Sequence, residues 1–237
     1  MWNGNAGKAR AFFLATLMVS IGGCDLGAAP TQVPNVVGNA PESQPPNLRY
    51  QVDPARGRVW FLTGDGVFLY DVTRPEKIVV PLPSWQWVDR PYGCLPDLAL
   101  GSNGEAVITS NVVPTLCRID PETLAVSVHP LVLDADTGKD VGFSGLAYSA
   151  EHAAFFAVSY FHGSLWRIDP LLAKAQKIPL SAPIPKACGL AVQPRIVRQT
   201  TTRLLRLCVR APQGGWTIDF APDQRFAYVK AVSCSAF

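Results

Sequence analysis

From residue 48 onward the chain is a succession of short apolar runs bounded by turn residues, the pattern of β-strands. An apolar strand ending in aspartate recurs as Phe68-Leu69-Tyr70-Asp71, Cys117-Arg118-Ile119-Asp120, Trp166-Arg167-Ile168-Asp169 and Trp216-Thr217-Ile218-Asp219, at spacings of 49, 49 and 50 residues. The strand that follows repeats as well, with Pro81-Leu82, Pro130-Leu131 and Pro179-Leu180 again 49 residues apart. Two independent markers in one register define a repeat. Each unit reads as four short strands, clearest in the third, where Phe143–Ser149, Ala153–Tyr160, Ser164–Asp169 and Ala173–Leu180 are separated by turns. The second unit matches with Asp97–Leu100, Glu105–Asn111, Thr115–Asp120 and Ala125–Leu131. In the first, Arg58–Thr63 and Val67–Asp71 flank the tight turn Gly64-Asp65-Gly66. The fourth begins near Gly189-Leu190-Ala191 and carries an inserted loop or hairpin at Arg195–Arg203 before Leu204–Val209.

The expected fold is all-β and β-propeller-like, with four repeats of about 49 residues and four antiparallel strands each, over residues 48–237. A single small sheet of this kind is apolar on both faces and gains stability only by stacking on its neighbours. The Arg-Ile-Asp-Pro strand ends at Arg118-Ile119-Asp120-Pro121 and Arg167-Ile168-Asp169-Pro170 resemble the repeats of YVTN, NHL and quinoprotein-like bacterial propellers. That resemblance is architectural and carries over no catalytic residue. Those families usually have six to eight blades, so four units imply either a compact ring or an open array that a second copy or a partner completes. A β-sandwich of similar strand count is the alternative, and the regular spacing argues against it.

The N-terminus has a different pattern. Lys8 and Arg10 precede an uncharged, largely apolar stretch from Ala11 to Gly23, which ends at Cys24. This is the order of a secretory signal peptide, and the stretch is shorter than the roughly 20 residues that a membrane-spanning helix needs. Ile21-Gly22-Gly23-Cys24 resembles the lipobox of bacterial lipoproteins. The resemblance implies removal of residues 1–23, acylation of Cys24 and anchoring in the lipid bilayer, with the domain facing the periplasm. Asp25 resembles the signal that keeps such proteins in the inner membrane of enteric-type bacteria, and other lineages read this position differently, which leaves the outer membrane open. Residues 24–47 are rich in Pro, Ala, Gly, Asn and Gln without an apolar period, and read as a disordered tether after the lipidated cysteine.

The formal charge is +3, and Lys8 and Arg10 account for two of those charges in a leader without acidic residues. A nearly neutral mature chain lacks the basic field of a nucleic-acid binder. Five cysteines follow Cys24, namely Cys94, Cys117, Cys188, Cys208 and Cys234. In an oxidising compartment they are disulfide candidates, although an odd number leaves at least one outside an intrachain pair.

Candidate sites fall on the loops that join one blade to the next. The first, Pro83 to Cys94, presents Trp85, Trp87, Asp89, Arg90 and Tyr92, a mixture enriched at protein interfaces; the alternative is that the two Trp plug the channel or pack between blades. The second holds Asp134, Asp136 and Asp140, alternating carboxylates that resemble the start of an EF-hand calcium loop. Gly145 stands where the closing glutamate belongs and Lys139 competes, so a solvated turn is the favoured reading, and no cofactor beyond calcium comes into question. The repeated aspartates are expected to accept backbone N–H bonds in turns. His129, His152 and His162 are scattered.

The resulting expectation is a membrane-anchored binding or scaffold propeller with an envelope protein partner, using the loop around Trp85–Tyr92. The rival is a metal-dependent hydrolase of lactonase or esterase type. Such a site needs carboxylates converging on the channel, and the inner strands supply only Asp97.

Overall fold

The computed structural model describes residues 48–89, 94–194, 205–212, 214–221 and 223–232. Cys24, the leader and the tether lie outside them. Alternating apolar residues joined by tight turns form four antiparallel sheets, here called blades. Blade 1 is β1 (Arg49–Asp53), β2 (Arg58–Thr63), β3 (Gly66–Asp71) and β4 (Arg74–Val80). Blade 2 is β5 (Leu98–Leu100), β6 (Ala106–Thr109), β7 (Thr115–Ile119) and β8 (Val126–Pro130). The short strand β9 (Val132–Leu133) then pairs in parallel with the outer edge of blade 3, which is β10 (Gly145–Ser149), β11 (Ala154–Val158), β12 (Leu165–Ile168) and β13 (Lys174–Ile178). Blade 4 is β14 (Leu190–Pro194), β15 (Leu205–Ala211), β16 (Gly214–Phe220) and β17 (Ala227–Val232). The four-by-four arrangement is the one the repeat predicts. β9 is an addition that the repeat did not reveal, and the inserted segment Arg195–Arg203 lies outside the described residues.

The inner strands pack in sequence order, β1 on β5, β5 on β10 and β10 on β14. Between successive blades lie three apolar seams. The first joins Trp60, Leu62 and Leu69 of blade 1 to Leu98, Ile108, Cys117 and Ile119 of blade 2. The second joins Val107 and Leu116 to Leu146, Phe155, Trp166 and Ile168 of blade 3. The third joins Phe156, Val158 and Leu165 to Leu190, Leu207, Val209 and Ile218 of blade 4. Full burial of side chains of this size contributes about 1.5–3 kcal/mol each, so the seams hold the array together.

Turn chemistry follows the expectation in three of four repeats. Asp71 accepts from the Thr73 N–H at 2.9 Å, Asp120 from the Glu122 and Thr123 N–H groups at 2.9 and 2.7 Å, and Asp169 from the Leu171 N–H at 2.9 Å. Asp219 differs. Its strand runs on to Phe220, which leaves the carboxylate on a sheet face, where Arg206 donates to both oxygens at 2.6 and 3.0 Å.

A disulfide joins Cys94, just before β5, to Cys188, just before β14. It ties the blade 1–2 connection to the blade 3–4 connection across 94 residues of sequence. Closing a loop of that size removes conformations from the unfolded chain, worth about 4.7 kcal/mol in the chain-entropy account. Cys208 is also disulfide-bonded, Cys117 is free and buried, and Cys234 lies outside the described residues. The variant Cys94→Ser/Cys188→Ser is expected to lose about 3–4 kcal/mol of unfolding free energy in urea titration; a loss below about 1 kcal/mol would show that the cross-link restrains little.

Candidate functional site

Strand register makes four residues equivalent at the inner ends of the blades. Following each ladder inward from Phe68, Cys117, Trp166 and Trp216 leads to Tyr50, Leu98, Leu146 and Leu190. The residues just before these are Arg49, Asp97, Gly145 and Gly189, which meet at the axis. Asp97 is the centre of this set. One oxygen accepts from the Leu98 N–H at 3.0 Å, and the other accepts from the Leu146 N–H at 2.9 Å and the Leu190 N–H at 3.3 Å. One carboxylate therefore holds amides at the beginning of β5, β10 and β14. Blade 1 contributes Arg49 instead, with Nε 3.7 Å from the carboxylate.

The glycines make this possible. The Arg49 guanidinium lies flat over Gly189, its Nη1, Cζ and Nη2 at 3.6–3.7 Å from where a Cβ would stand, and Gly189 has φ +102°. A Cβ on Gly145 would come within 2.8 Å of the Gly189 carbonyl carbon. Burial pushes the Asp97 carboxyl up, and Arg49 with the three amides opposes that shift. Arg210 on β15 shares this field: burial lowers its pKa first, Arg49 lowers it further and Asp97 raises it. Sequence reasoning found Asp97 as the lone inner-strand acid but missed Arg49 and the glycine pair.

The tryptophan loop is folded down onto blade 2. Trp85 Nε1 donates to the Thr109 carbonyl at 2.8 Å, and its ring packs on the seam between blades 1 and 2. Trp87 stacks on Trp85 with ring centroids 6.0 Å apart, and lies against Gly64. Asn111 holds both shoulders of the loop, donating to the carbonyls of Val88 at 2.7 Å and Cys94 at 3.1 Å. Asp89 is exposed, and Arg90 and Tyr92 lie outside the described residues. Trp85 thus packs at the seam between blades 1 and 2, with Trp87 stacked on it.

In the acidic loop, Asp136 binds Lys139 at 2.8 Å and also Lys177, while Asp134 accepts from the Lys177 N–H at 2.8 Å. Lys139 and Lys177 hold the Asp136 carboxyl at about 2. Asp140 is exposed. Two ammonium groups thus occupy the carboxylate that a cation would need, and no group of three or more His, Cys, Asp or Glu suited to a metal occurs among the described residues.

The outer face of blade 1 is the surface that sequence reasoning did not identify. Two rows cross each blade on the side turned toward the preceding one. In blade 2 they begin Leu98-Ile108-Cys117 and Leu100-Ala106-Ile119. Blade 3 has Leu146-Ala157-Trp166 and Tyr148-Phe155-Ile168, and blade 4 has Leu190-Val209-Trp216 and Val192-Leu207-Ile218. These residues fill the seams. In blade 1 the same rows are Tyr50-Phe61-Phe68 and Val52-Val59-Tyr70. Among the described residues no blade precedes them, and Tyr50 is 61% exposed where Leu98 is 0%, and Tyr70 is 39% exposed where Ile119 is 0%. Lys77 lies over the open Phe68 ring, 3.8 Å from its centroid.

Comparison with solved structures follows from this geometry. A nutrient-binding protein of Bacteroides thetaiotaomicron matches over 78% of this chain and 42% of its own, with a TM-score of 0.53 and 10% identity. The fold is propeller-like. A virginiamycin B lyase of Staphylococcus aureus matches over 80% of this chain and 68% of its own at TM-score 0.47 and 12% identity, and the dihydro-heme d1 dehydrogenase NirN over 79% and 36% at 0.49 and 17%. No protein-family model matches the chain, and no curated protein matches it by sequence.

Two outcomes follow for the propeller's interior. Asp97→Asn cannot neutralise Arg49 and should lose about 3–5 kcal/mol of stability, as removal of one partner of a buried pair does; in a double-mutant cycle Arg49→Gln/Asp97→Asn should lose less than the sum of the single changes. Additive losses would show that the two do not interact. Burial pushes the Cys117 thiol up to about 11. The native protein should therefore leave Cys117 unlabelled by iodoacetamide at pH 8 and label it on unfolding, and rapid native labelling would refute its placement in the seam.

Proposed function

We propose that this protein is a lipid-anchored, periplasm-facing binding module, and that a protein partner in the cell envelope docks on the open outer face of blade 1. The supporting observation is the row pair Tyr50-Phe61-Phe68 and Val52-Val59-Tyr70, built like the seam-filling rows of the other blades and left uncovered. Contiguous apolar surface of this kind marks interaction sites. The lipobox Ile21-Gly22-Gly23-Cys24 supplies the anchor in this reading, residues 25–47 the tether, and Asp25 the lean toward the inner membrane. The Cys94–Cys188 disulfide fits an oxidising compartment. The same fold serves binding in the Bacteroides protein described as nutrient-binding.

The docking surface moves from the tryptophan loop to blade 1 because Trp85 and the loop's shoulders are bonded to blade 2. A lactonase-type hydrolase finds less support. The axial positions Arg49, Asp97, Gly145 and Gly189 contribute one carboxylate, and both its oxygens already accept backbone N–H groups.

The test is affinity purification of the tagged, acylated protein from gently solubilised native membranes. A stoichiometric protein should co-purify with the wild type and with Trp85→Ala/Trp87→Ala, and be lost from Tyr50→Glu/Val52→Glu, whose side chains are more than half exposed. A wild-type protein that emerges without any partner overturns the docking reading.

A further inference from the structure

The hydrogen bonds of the axial cluster do not balance. Asp97 accepts from three backbone amides, while Arg49 Nε stands 3.7 Å from the same carboxylate, beyond hydrogen-bond length. That nitrogen is buried and has no hydrogen-bond partner. A cationic N–H removed from water without an acceptor loses its hydration and gains nothing in return, and such a group in a folded protein marks an acceptor still to be supplied. Asp97 is spent on the strands, so the acceptor for Arg49 comes from outside this set.

Arg210 brings a second cation to the same place. Its N–H donates to the Gly189 carbonyl at 3.2 Å, and its carbonyl accepts from the Cys188 N–H at 2.6 Å. The Arg49 guanidinium lies over that same Gly189. Burial first, and then the like charge of Arg49, lower the Arg210 pKa, as expected of two guanidiniums crowded into one field. The cluster is reachable from solvent: the Arg49 side chain is 14% exposed and Arg210 is exposed. No hydrogen bond at Nε resists rotation of the Arg49 side chain toward a ligand arriving there.

We infer that the mouth of the axis is a binding site for a small, singly charged carboxylate, with Arg49 as its hydrogen-bond donor and Arg210 as a second cation beside it. A planar guanidinium edge matches the two oxygens of a carboxylate. Asp97 stands close by and repels a doubly charged ligand more than a singly charged one, which favours a carboxylate over a phosphate. The inference concerns the axis alone and does not rest on the docking reading of blade 1.

The experiment uses the full acylated chain in detergent, with acetate as the probe and inorganic phosphate and chloride as comparisons at equal ionic strength. The melting midpoint should rise with acetate concentration, as it does for any ligand that binds only the folded state, and stay level in chloride. Arg49→Lys keeps a positive charge beside Asp97 and loses the planar fork; its midpoint in chloride should stay near that of wild type while its apparent acetate affinity falls at least about tenfold. Arg210→Gln, altered at an exposed side chain, should weaken acetate binding severalfold without a change in fold. In the wild type, acetate should slow phenylglyoxal modification of Arg210 and leave that of the exposed Arg74 on β4 unchanged. An acetate response of equal size in wild type, Arg49→Lys and Arg210→Gln would mark an adventitious ion only and overturn the site. A response to phosphate without one to acetate would overturn the carboxylate assignment, and no response to either would overturn the inference as a whole.

Discussion

The contact on which the rest of the molecule depends is the Asp97 carboxylate at the axis. Four inner strands must converge, and each brings backbone groups into a space too narrow for side chains on all of them. One carboxylate answers three amides, from Leu98, Leu146 and Leu190, and the fourth strand supplies the neutralising charge through Arg49. Gly145 lets the Gly189 backbone approach closely, and Gly189 adopts a positive φ beneath the guanidinium. The cluster fixes which strand ends meet, and the apolar seams, which are non-directional, then set how tightly the blades stack. The Cys94–Cys188 bond acts at the same level of the molecule, directly before β5 and β14. It restrains the two connections that deliver Asp97 and Leu190 to each other.

Directionality follows from the repeat. Each blade projects two apolar rows toward its predecessor and receives the rows of its successor on the other face. Polar contacts run along the rim in the same sense, with Arg58 of blade 1 donating to the Pro121 carbonyl of blade 2 and Arg118 of blade 2 to the Pro170 carbonyl of blade 3. Among the described residues, the rows that blade 1 projects meet no receiving blade. Blade 4 has its last face in polar residues. Blade 1 keeps its aromatic rows.

Much of the fold was legible because the marker Asp71, Asp120, Asp169 and Asp219 recurs at nearly constant spacing, and strand period and turn residues did the rest. The axial set was not, because Arg49, Asp97, Gly145 and Gly189 fall 48, 48 and 44 residues apart, out of step with that marker, and share no residue type. Their equivalence exists only in strand register. The Cys94–Cys188 pairing was beyond reach for a similar reason, since spacing does not reveal which connections converge. An aromatic loop such as that of Trp85 and Trp87 looks the same in sequence whether it faces a partner or caps a seam, and the bond from Trp85 to the Thr109 carbonyl exists only in the fold. Asp219 departed from its repeat because β16 extends past it.

The division of labour between axis and end face bears on where function lies. Asp97 spends three of its acceptor sites on the backbone of the strands that hold it in place. Releasing it would loosen three blades at once, so the axis is better suited to rigidity than to turnover. The blade 1 face has the opposite character. Tyr50, Val52 and Tyr70 are exposed there, and Lys77 is the side chain that lies over the half-buried Phe68 ring. Chain order adds to this, because β1 is the first strand of the described residues, so the open blade is the one nearest in sequence to the segment 24–47.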